Sequence, residues 1–329
     1  MSTWAPGTAH GYCHEASLYH DGDEFLEAAI RFIEEAVEHE EPVLVALALP
    51  KIAALRSRVT RAASNVIFAN MEELGRNPAR IMPAWQVFLS EHPAGRGRLR
   101  GIGEPIVPAQ DAARVAECQR HEALLNLPFS DQDFWLLCAY DASALKPEVI
   151  DEARRNHPYV RENGRSGPSR EYAGADILAM PCRESLPTPP GWAASLTFGE
   201  GDLHLVRRLV GRHAAQAGIS EDRVAEFVLA ASEIATNSIR HGGRAGTLRV
   251  WRESGWFTCE FADAGRILDP MAGRVCASTD ASGGRGLWIA NQICDLVQIR
   301  DTEAGTAVRL RFPITRDPAG PTPEVYAHF

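Results

Sequence analysis

The chain has 329 residues, which is long for one hydrophobic core and suits two domains. Its 34 basic and 43 acidic residues give a net charge of −9, which argues against direct binding to nucleic acid. Its seven cysteines are odd in number and form no Cys-x-x-Cys motif, a pattern typical of free thiols in a reducing cytosol. No signal pattern opens the sequence, and the longest apolar run, residues 43–49, is too short to span a bilayer. We therefore expect a cytoplasmic protein that is not inserted in a membrane.

Residues 15–155 alternate between strand patterns and helix patterns. The continuous apolar run at 43–49 predicts a strand that is covered on both faces. Further strands are predicted at 16–19, 66–69, 99–102 and 134–140, and helices at 23–40, 51–59, 77–89 and 111–126. This order predicts an α/β domain with a mostly parallel sheet and helices on both faces.

The same region has no phosphate-binding Gly-x4-Gly-Lys-[Ser/Thr] motif, so we expect no nucleotide site there. Its histidines and cysteines could supply metal ligands if two distant segments meet in space. The candidates are His10, Cys13 and His14 in one segment and Cys118 and His121 in the other. Their spacing fits no established zinc pattern, so ordinary buried hydrogen bonding is the favoured interpretation and metal binding stays open.

Several short motifs of this region resemble the MEDS sensory domain (methanogen/methylotroph, DcmR sensory). They are His14-Glu15-Ala16, the strand at 42–49, Gly103-Glu104-Pro105, the stretch 117–126, and Tyr140-Asp141. The resemblance spans about residues 10–160. It implies a domain that receives a small-molecule or protein signal of unknown identity.

The next segment changes character. Residues 163–169 and 186–191 are rich in proline, glycine and other turn formers that break helices. We therefore place a linker between two domains at 161–193. A Pro-rich stretch at 316–329 predicts a flexible tail.

Residues 194–315 combine a pair of helix patterns with several strand patterns. Strands are predicted at 194–198, 247–253, 256–262, 296–300 and 306–312, and helices at 202–217, 220–241 and 286–295. This order predicts an α+β domain in which helices cover one face of a mixed sheet.

The helix predicted at 220–241 carries two polar residues of chemical interest. Ser220 can cap its start, and Gly242 can end it. Glu233 and Asn237 are four residues apart and therefore share one helix face. A carboxylate can accept a proton and a carboxamide oxygen can bind Mg²⁺, although such a pair alone is more often a solvated polar face.

Three glycine-containing motifs follow in order. Asp263-Ala264-Gly265 comes directly after a strand pattern, where the carboxylate could accept a hydrogen bond from an exocyclic amine. Gly284-Arg285-Gly286-Leu287 opens a helix, and glycines before a helix N-terminus expose backbone N–H groups to phosphate. Gly305-Thr306 opens the last strand.

Glu233 with Asn237, Asp263-x-Gly265, Gly284-x-Gly286 and Gly305-Thr306 resemble, in this order, the N, G1, G2 and G3 boxes of the GHKL ATPases. The resemblance covers about residues 194–314 and implies the Bergerat fold, with ATP and Mg²⁺ as cofactors. The compact spacing is most similar to that of the anti-sigma-factor serine kinases. In that family Glu233 would be the base, Asn237 the Mg²⁺ ligand and Asp263 the adenine ligand. The other nucleotide-binding residues that the resemblance implies are Gly265, Gly284, Arg285, Gly286, Leu287 and Thr306.

The resemblance implies a sensory-domain-controlled protein-serine kinase that binds a sigma factor and phosphorylates its STAS-domain antagonist. Two alternatives stay open. A sensor histidine kinase would need a phosphoacceptor, and neither His121 nor His157 lies in a suitable pair of long helices. A nucleotide-gated binding protein without transfer activity would not need Glu233. The sequence also leaves a homodimer open.

Overall fold

The computed structural model describes residues 11–59, 65–92, 97–174, 185–275 and 285–314. The chain divides into two compact units, Met1–Pro181 and Cys182–Phe329. No helix in these described ranges has both the length and the apolar character that crossing a membrane requires.

Strands and helices alternate along the first unit. Its strands are β1 (Cys13–Tyr19), β2 (Val43–Leu47), β3 (Val66–Asn70), β4 (Leu99–Gly103), β5 (Phe134–Asp141), β6 (Tyr159–Glu162) and β7 (Arg165–Pro168). Its helices are α1 (Gly22–Glu38), α2 (Leu49–Arg58), α3 (Met71–Leu74), α4 (Ile81–Glu91), α5 (Ala112–Leu124) and α6 (Pro147–Asn156). The predicted strand at 43–49 ends two residues early because α2 begins at Leu49 and has Pro50 in its first turn.

The first sheet has seven strands in the order β3-β2-β4-β5-β1-β6-β7. Every neighbouring pair is parallel except β6 with β7. Phe32 of α1 and Leu55 of α2 share an apolar core with Val45 of β2 on one face. On the other face, Trp85 of α4 lies against β4, where a Cβ on Gly101 would come within 2.9 Å of the indole ring. The predicted α/β class with a mostly parallel sheet is therefore confirmed.

The segment predicted as a linker, 161–193, begins inside this sheet. Residues 159–168 form the β6–β7 hairpin, and β6 pairs with β1. Asn163 and Gly164 both have positive φ, 51° and 70°, as a two-residue hairpin turn requires. Farther along, the Pro187 carbonyl accepts a hydrogen bond from Arg309 Nη2 at 2.6 Å. Both described ends of the segment are thus packed.

The second unit consists of a helix pair, a third helix and five strands within the described residues. The strands are β8 (Ala194–Gly199), β9 (Ala245–Glu253), β10 (Trp256–Asp263), β11 (Leu296–Thr302) and β12 (Gly305–Pro313). The helices are α7 (Leu203–Gln216), α8 (Glu221–His241) and α9 (Arg285–Ile293).

The second sheet has the strand order β11-β12-β10-β9-β8, and all four neighbouring pairs are antiparallel. We had predicted a mixed sheet, but the sheet is entirely antiparallel. Between β8 and β9 the chain passes through two helices, which return it to the end from which it left. The next strand then runs opposite to the first.

Helices pack on one face of this sheet, as predicted. Phe227 of α8 is fully buried, with its ring centroid 5.2 Å from that of Phe257 and 4.5 Å from that of Phe312. Phe257 and Phe312 are register partners on neighbouring strands, so α8 lies across the centre of the sheet. Ser220 is the N-cap residue of α8, but its side chain makes no capping hydrogen bond, contrary to our expectation. Its carbonyl instead accepts from the N–H of Val224 at 2.8 Å.

Candidate functional site

The C-terminal end of α8 packs closely against the end of β10. Gly242 ends the helix, and its N–H donates to the Ser238 carbonyl at 2.8 Å. The Gly242 carbonyl accepts from the N–H of Ala264 at 3.1 Å. A Cβ on Gly242 would overlap the carboxyl group of Asp263. Glycine is needed here because any side chain would displace that carboxylate.

The half-buried Asp263 is oriented by the turn that follows it. Its Oδ1 accepts a hydrogen bond from the N–H of Gly265 at 2.8 Å. A Cβ on Gly265 would lie 2.6 Å from the His241 carbonyl oxygen, so this turn also requires glycine. Within the part of the chain that the structure describes, Oδ2 of Asp263 has no hydrogen-bond donor. That oxygen can therefore accept a hydrogen bond from an amine.

Thr306 lies beside Asp263 on the neighbouring strand. The two residues are register partners in β12 and β10. Thr306 Oγ1 donates to the Gly265 carbonyl at 2.8 Å, and the side chain is only 3% exposed. Gly305 has φ of 144°, and a Cβ there would overlap the Asp263 backbone. The predicted G1 and G3 motifs therefore form one hydrogen-bonded corner.

Glu233 and Asn237 are half-buried on one face of α8. The start of α9 lies against this face. A Cβ on Gly286 would come within 2.9 Å of Asn237 Nδ2 and 3.1 Å of Glu233 Oε2. The predicted N and G2 motifs are therefore in contact, and only glycine leaves both polar side chains in position.

Arg285 and Leu287 flank Gly286 in the first turn of α9. Arg285 is exposed, whereas Leu287 packs partly against the apolar core. Gly284 lies outside the described residues. The predicted phosphate-binding motif is therefore described only from Arg285 onward.

Asn291 is a residue of this region that the sequence patterns did not indicate. It is 2% exposed, and its Nδ2 donates to the Gly273 carbonyl at 2.9 Å. Gly273 has φ of 75°, and a Cβ there would lie 2.7 Å from Leu287 Cβ. The bond attaches the segment after Gly265 to α9. A carboxamide within an otherwise apolar helix face was the available signal.

Comparison with known families agrees with this geometry. A family model described as a histidine kinase-like ATPase domain matches residues 199–312, a range that includes the whole candidate site. A second model, described as the methanogen/methylotroph, DcmR sensory (MEDS) domain, matches residues 13–158. The chain joins a MEDS domain to a histidine kinase-like ATPase domain. No curated protein matches it.

The ATPase domain offers groups that fit ATP and Mg²⁺. A carboxylate oxygen of Asp263 is available to an amine, and Asn237 carries an oxygen of the kind that Mg²⁺ prefers. Glycines at 242, 265 and 286 keep side chains out of the space beside these groups. The donor set and the glycine positions together are therefore compatible with a nucleotide.

The MEDS domain encloses the two histidines that we considered as phosphoacceptors. His121 and His157 are both 0% exposed. His157 Nδ1 is also 2.7 Å from the Ala153 carbonyl oxygen, so the ring is held in place. A phosphoryl group could reach either ring only if the domain opened.

Proposed function

We propose that this protein is an ATP-dependent protein-serine kinase of the anti-sigma-factor type, controlled by its MEDS domain. The contact of Gly286 with Glu233 and Asn237 carries the proposal. A carboxylate that could act as base and a carboxamide that could bind Mg²⁺ both lie beside the N-terminus of α9. The serine-kinase subclass is supported by the compact spacing of the four motifs. Its substrate would be a STAS-domain antagonist, and its binding partner a sigma factor.

Glu233 and Asn237 have separate roles in this proposal. Mg²⁺, when bound, would supply positive charge that offsets the negative charge of the transferred phosphoryl group. Asn237 would hold the metal through its side-chain oxygen. Glu233, one helical turn earlier on the same face, accepts the proton of the attacking serine hydroxyl. Arg285, which is exposed at the start of α9, gives the phosphates a further positive partner.

The adenine would lie at the corner formed by Asp263 and Thr306. Asp263 Oδ2 would accept a hydrogen bond from the exocyclic amine, while Oδ1 stays bonded to the Gly265 N–H. Thr306 Oγ1 donates to the Gly265 carbonyl, which leaves the hydroxyl oxygen as an acceptor for a bridging water. Gly286 and Leu287 would supply backbone N–H groups around the phosphates, and the motif resemblance implies the same for Gly284, which lies outside the described residues.

The alternatives are less well supported. Autophosphorylation on His121 or His157 is disfavoured because both rings are fully buried. A nucleotide-gated binding protein without transfer would not require a carboxylate beside Asn237. A homodimer is compatible with the kinase hypothesis but no observation requires it.

The test compares Glu233→Gln with the wild-type chain. We expect Glu233→Gln to bind ATP normally but to transfer phosphate to a STAS-domain protein about 10²–10⁴-fold more slowly, because the base is lost. Isothermal titration calorimetry measures the first quantity, and radiolabelled ATP with phosphoserine analysis measures the second. STAS-domain proteins that co-purify from the native host supply the substrate.

Glu221→Gln is the matched control, because Glu221 is an exposed carboxylate in the first turn of the same helix. It should transfer at the wild-type rate. Unchanged transfer in Glu233→Gln would eliminate the assigned base. Acid-labile phosphate on the chain itself would favour the histidine-kinase alternative.

A further inference from the structure

Four side chains with metal-binding atoms meet inside the MEDS domain. His14, Glu122, Cys138 and His157 each offer one ligand atom, and these atoms lie within 4.8 Å of one another. Their side chains are at most 2% exposed. They come from β1, α5, β5 and the residue that ends α6. The fold, not their spacing in the sequence, therefore brings them together.

The separations within this cluster are close to those of a tetrahedral metal site. Glu122 Oε2 lies 3.0 Å from His157 Nε2 and 3.3 Å from His14 Nε2. Cys138 Sγ lies 3.4 Å from His14 Nε2. Ligands at zinc bond lengths of about 2.0–2.3 Å would be roughly 3.3–3.8 Å apart at the corners of a tetrahedron. Only small side-chain movements would be needed around an ion.

The outer nitrogens of both imidazoles are already used. His157 Nδ1 is 2.7 Å from the Ala153 carbonyl oxygen, and His14 Nδ1 is 3.1 Å from Asn126 Oδ1. Asn126 Nδ2 donates to the carbonyls of Ala123 and Asn156, which orients its oxygen toward His14. Both rings therefore donate through Nδ1 and present the Nε2 lone pair to Glu122. Metal-binding histidines are oriented in this way by outer hydrogen bonds.

The cluster needs a cation. Glu122 Oε2 and His157 Nε2 are buried only 3.0 Å apart, yet neither forms a hydrogen bond of acceptable geometry with the other or with another described residue. A buried carboxylate facing imidazole lone pairs is unfavourable unless a proton or a metal ion lies between them.

We propose that His14, Glu122, Cys138 and His157 form a binding site for one divalent transition-metal ion, with zinc the best fit. Two imidazoles, one thiolate and one carboxylate match the ligands and the coordination number of zinc. Binding would displace the thiol proton of Cys138. Because four protein ligands close the coordination sphere, the ion would hold β1, β5, α5 and α6 together rather than act on a substrate.

The sequence had indicated only one of these ligands. His14 was among the candidates, but Cys13 points to the opposite face of β1. His121 and Cys118 lie on α5 outside the cluster, and its neighbour Glu122 takes part instead. His10 lies outside the described residues. Cys138 and His157 join because β5 is adjacent to β1 and α6 ends beside it.

The experiment uses the full chain without an affinity tag. Metal analysis after purification should find about one zinc per chain. After chelation and addition of Co²⁺, we expect a thiolate-to-cobalt charge-transfer band and an increase in melting temperature. Cys138→Ala should lose the band and bind the metal at least about 10-fold more weakly. Cys118→Ala removes another buried thiol of the same domain and should keep both properties.

If Cys138→Ala does not fold, X-ray absorption of the wild-type zinc protein still decides the question. One sulfur at about 2.3 Å and three nitrogen or oxygen ligands would support the site. Coordination by nitrogen and oxygen alone would overturn it. Absence of bound metal and of any stabilisation by Zn²⁺ or Co²⁺ would also overturn it. This outcome leaves the kinase proposal untouched, since no step of it involves these residues.

Discussion

At residue 286, helix propensity and tertiary packing make opposite demands. Gly286 lies in the first turn of α9, where alanine would favour the helix by about 1 kcal/mol. Yet a Cβ would lie 2.9 Å from Asn237 and 3.1 Å from Glu233. The glycine therefore lowers intrinsic helix stability and preserves two polar groups of the candidate site. Gly242 and Gly265 likewise leave space for the Asp263 side chain, which a Cβ at either position would contact too closely.

Gly286→Ala should weaken ATP binding, because a Cβ would displace Asn237 and Glu233, and should lower stability by about 1–3 kcal/mol, the typical cost of overpacking. Calorimetric titration of the full chain with ATP and Mg²⁺ measures the effect. Gly211→Ala is the matched control, since Gly211 also lies in a helix and a Cβ there would only touch Val228 at 3.6 Å. The control should bind ATP normally and gain up to about 1 kcal/mol of stability. Equal ATP affinity in both variants would show that the space at Gly286 is not used by the nucleotide.

At the scale of the element, α8 has two functions on two faces. Phe227 and Ile234 pack on the sheet, while Glu233 and Asn237 lie along the face next to α9. Since successive helix residues are rotated by about 100°, Glu233 and Ile234 can serve different faces. Burial of the apolar face fixes the position of the polar face. The Asn291–Gly273 hydrogen bond likewise holds the segment after β10 to α9.

Phe227→Ala should lower the free energy of unfolding of the ATPase domain by about 3–5 kcal/mol, because it leaves a cavity between α8 and the sheet. Leu229→Ala, on the same helix, should change it by less than about 0.5 kcal/mol, since Leu229 is 48% exposed. Urea unfolding of the full chain is monitored by hydrogen exchange in residues 221–241. This distinguishes unfolding of the ATPase domain from unfolding of the MEDS domain. A small loss in Phe227→Ala would contradict the role of α8 in the core.

At the scale of the whole molecule, two units with different sheets are joined by one chain. A sensory unit can control an enzyme only if its bound and free states affect the second unit differently. The segment between them is anchored at both described ends, by the β6–β7 hairpin and by the bond from Arg309 to Pro187. Each described part of the segment is therefore fixed to its own unit.

Such coupling typically amounts to about 1–3 kcal/mol, or roughly 5–150-fold in affinity. We therefore expect the full chain and a fragment starting at residue 185 to differ by this factor in ATP affinity or transfer rate. The fragment keeps Pro187, so the contact with Arg309 is preserved. Cell extract from the native host serves as a source of signal for the full chain. Equal values for both proteins, with and without extract, would remove the regulatory role of the MEDS domain.

The sequence alone determined the periodic features of this protein. Apolar spacing located most helices and strands, because burial of one face requires a period of 3.6 or 2 residues. Glycine, proline and asparagine marked the turns. Asn163-Gly164 is a hairpin-turn sequence, and it forms the β6–β7 turn with positive φ at both residues. The four ordered motifs indicated the ATPase domain because each requires a particular residue type at a fixed place.

Only the tertiary structure decided what depends on packing between distant segments. It made the second sheet antiparallel, because a pair of helices returns the chain before β9. It brought Gly286 against Glu233, and Asn291 against Gly273. It also brought His14, Glu122, Cys138 and His157 together from four elements. Local secondary-structure propensity does not predict these long-range contacts, since they form only when neighbouring elements pack their apolar faces together.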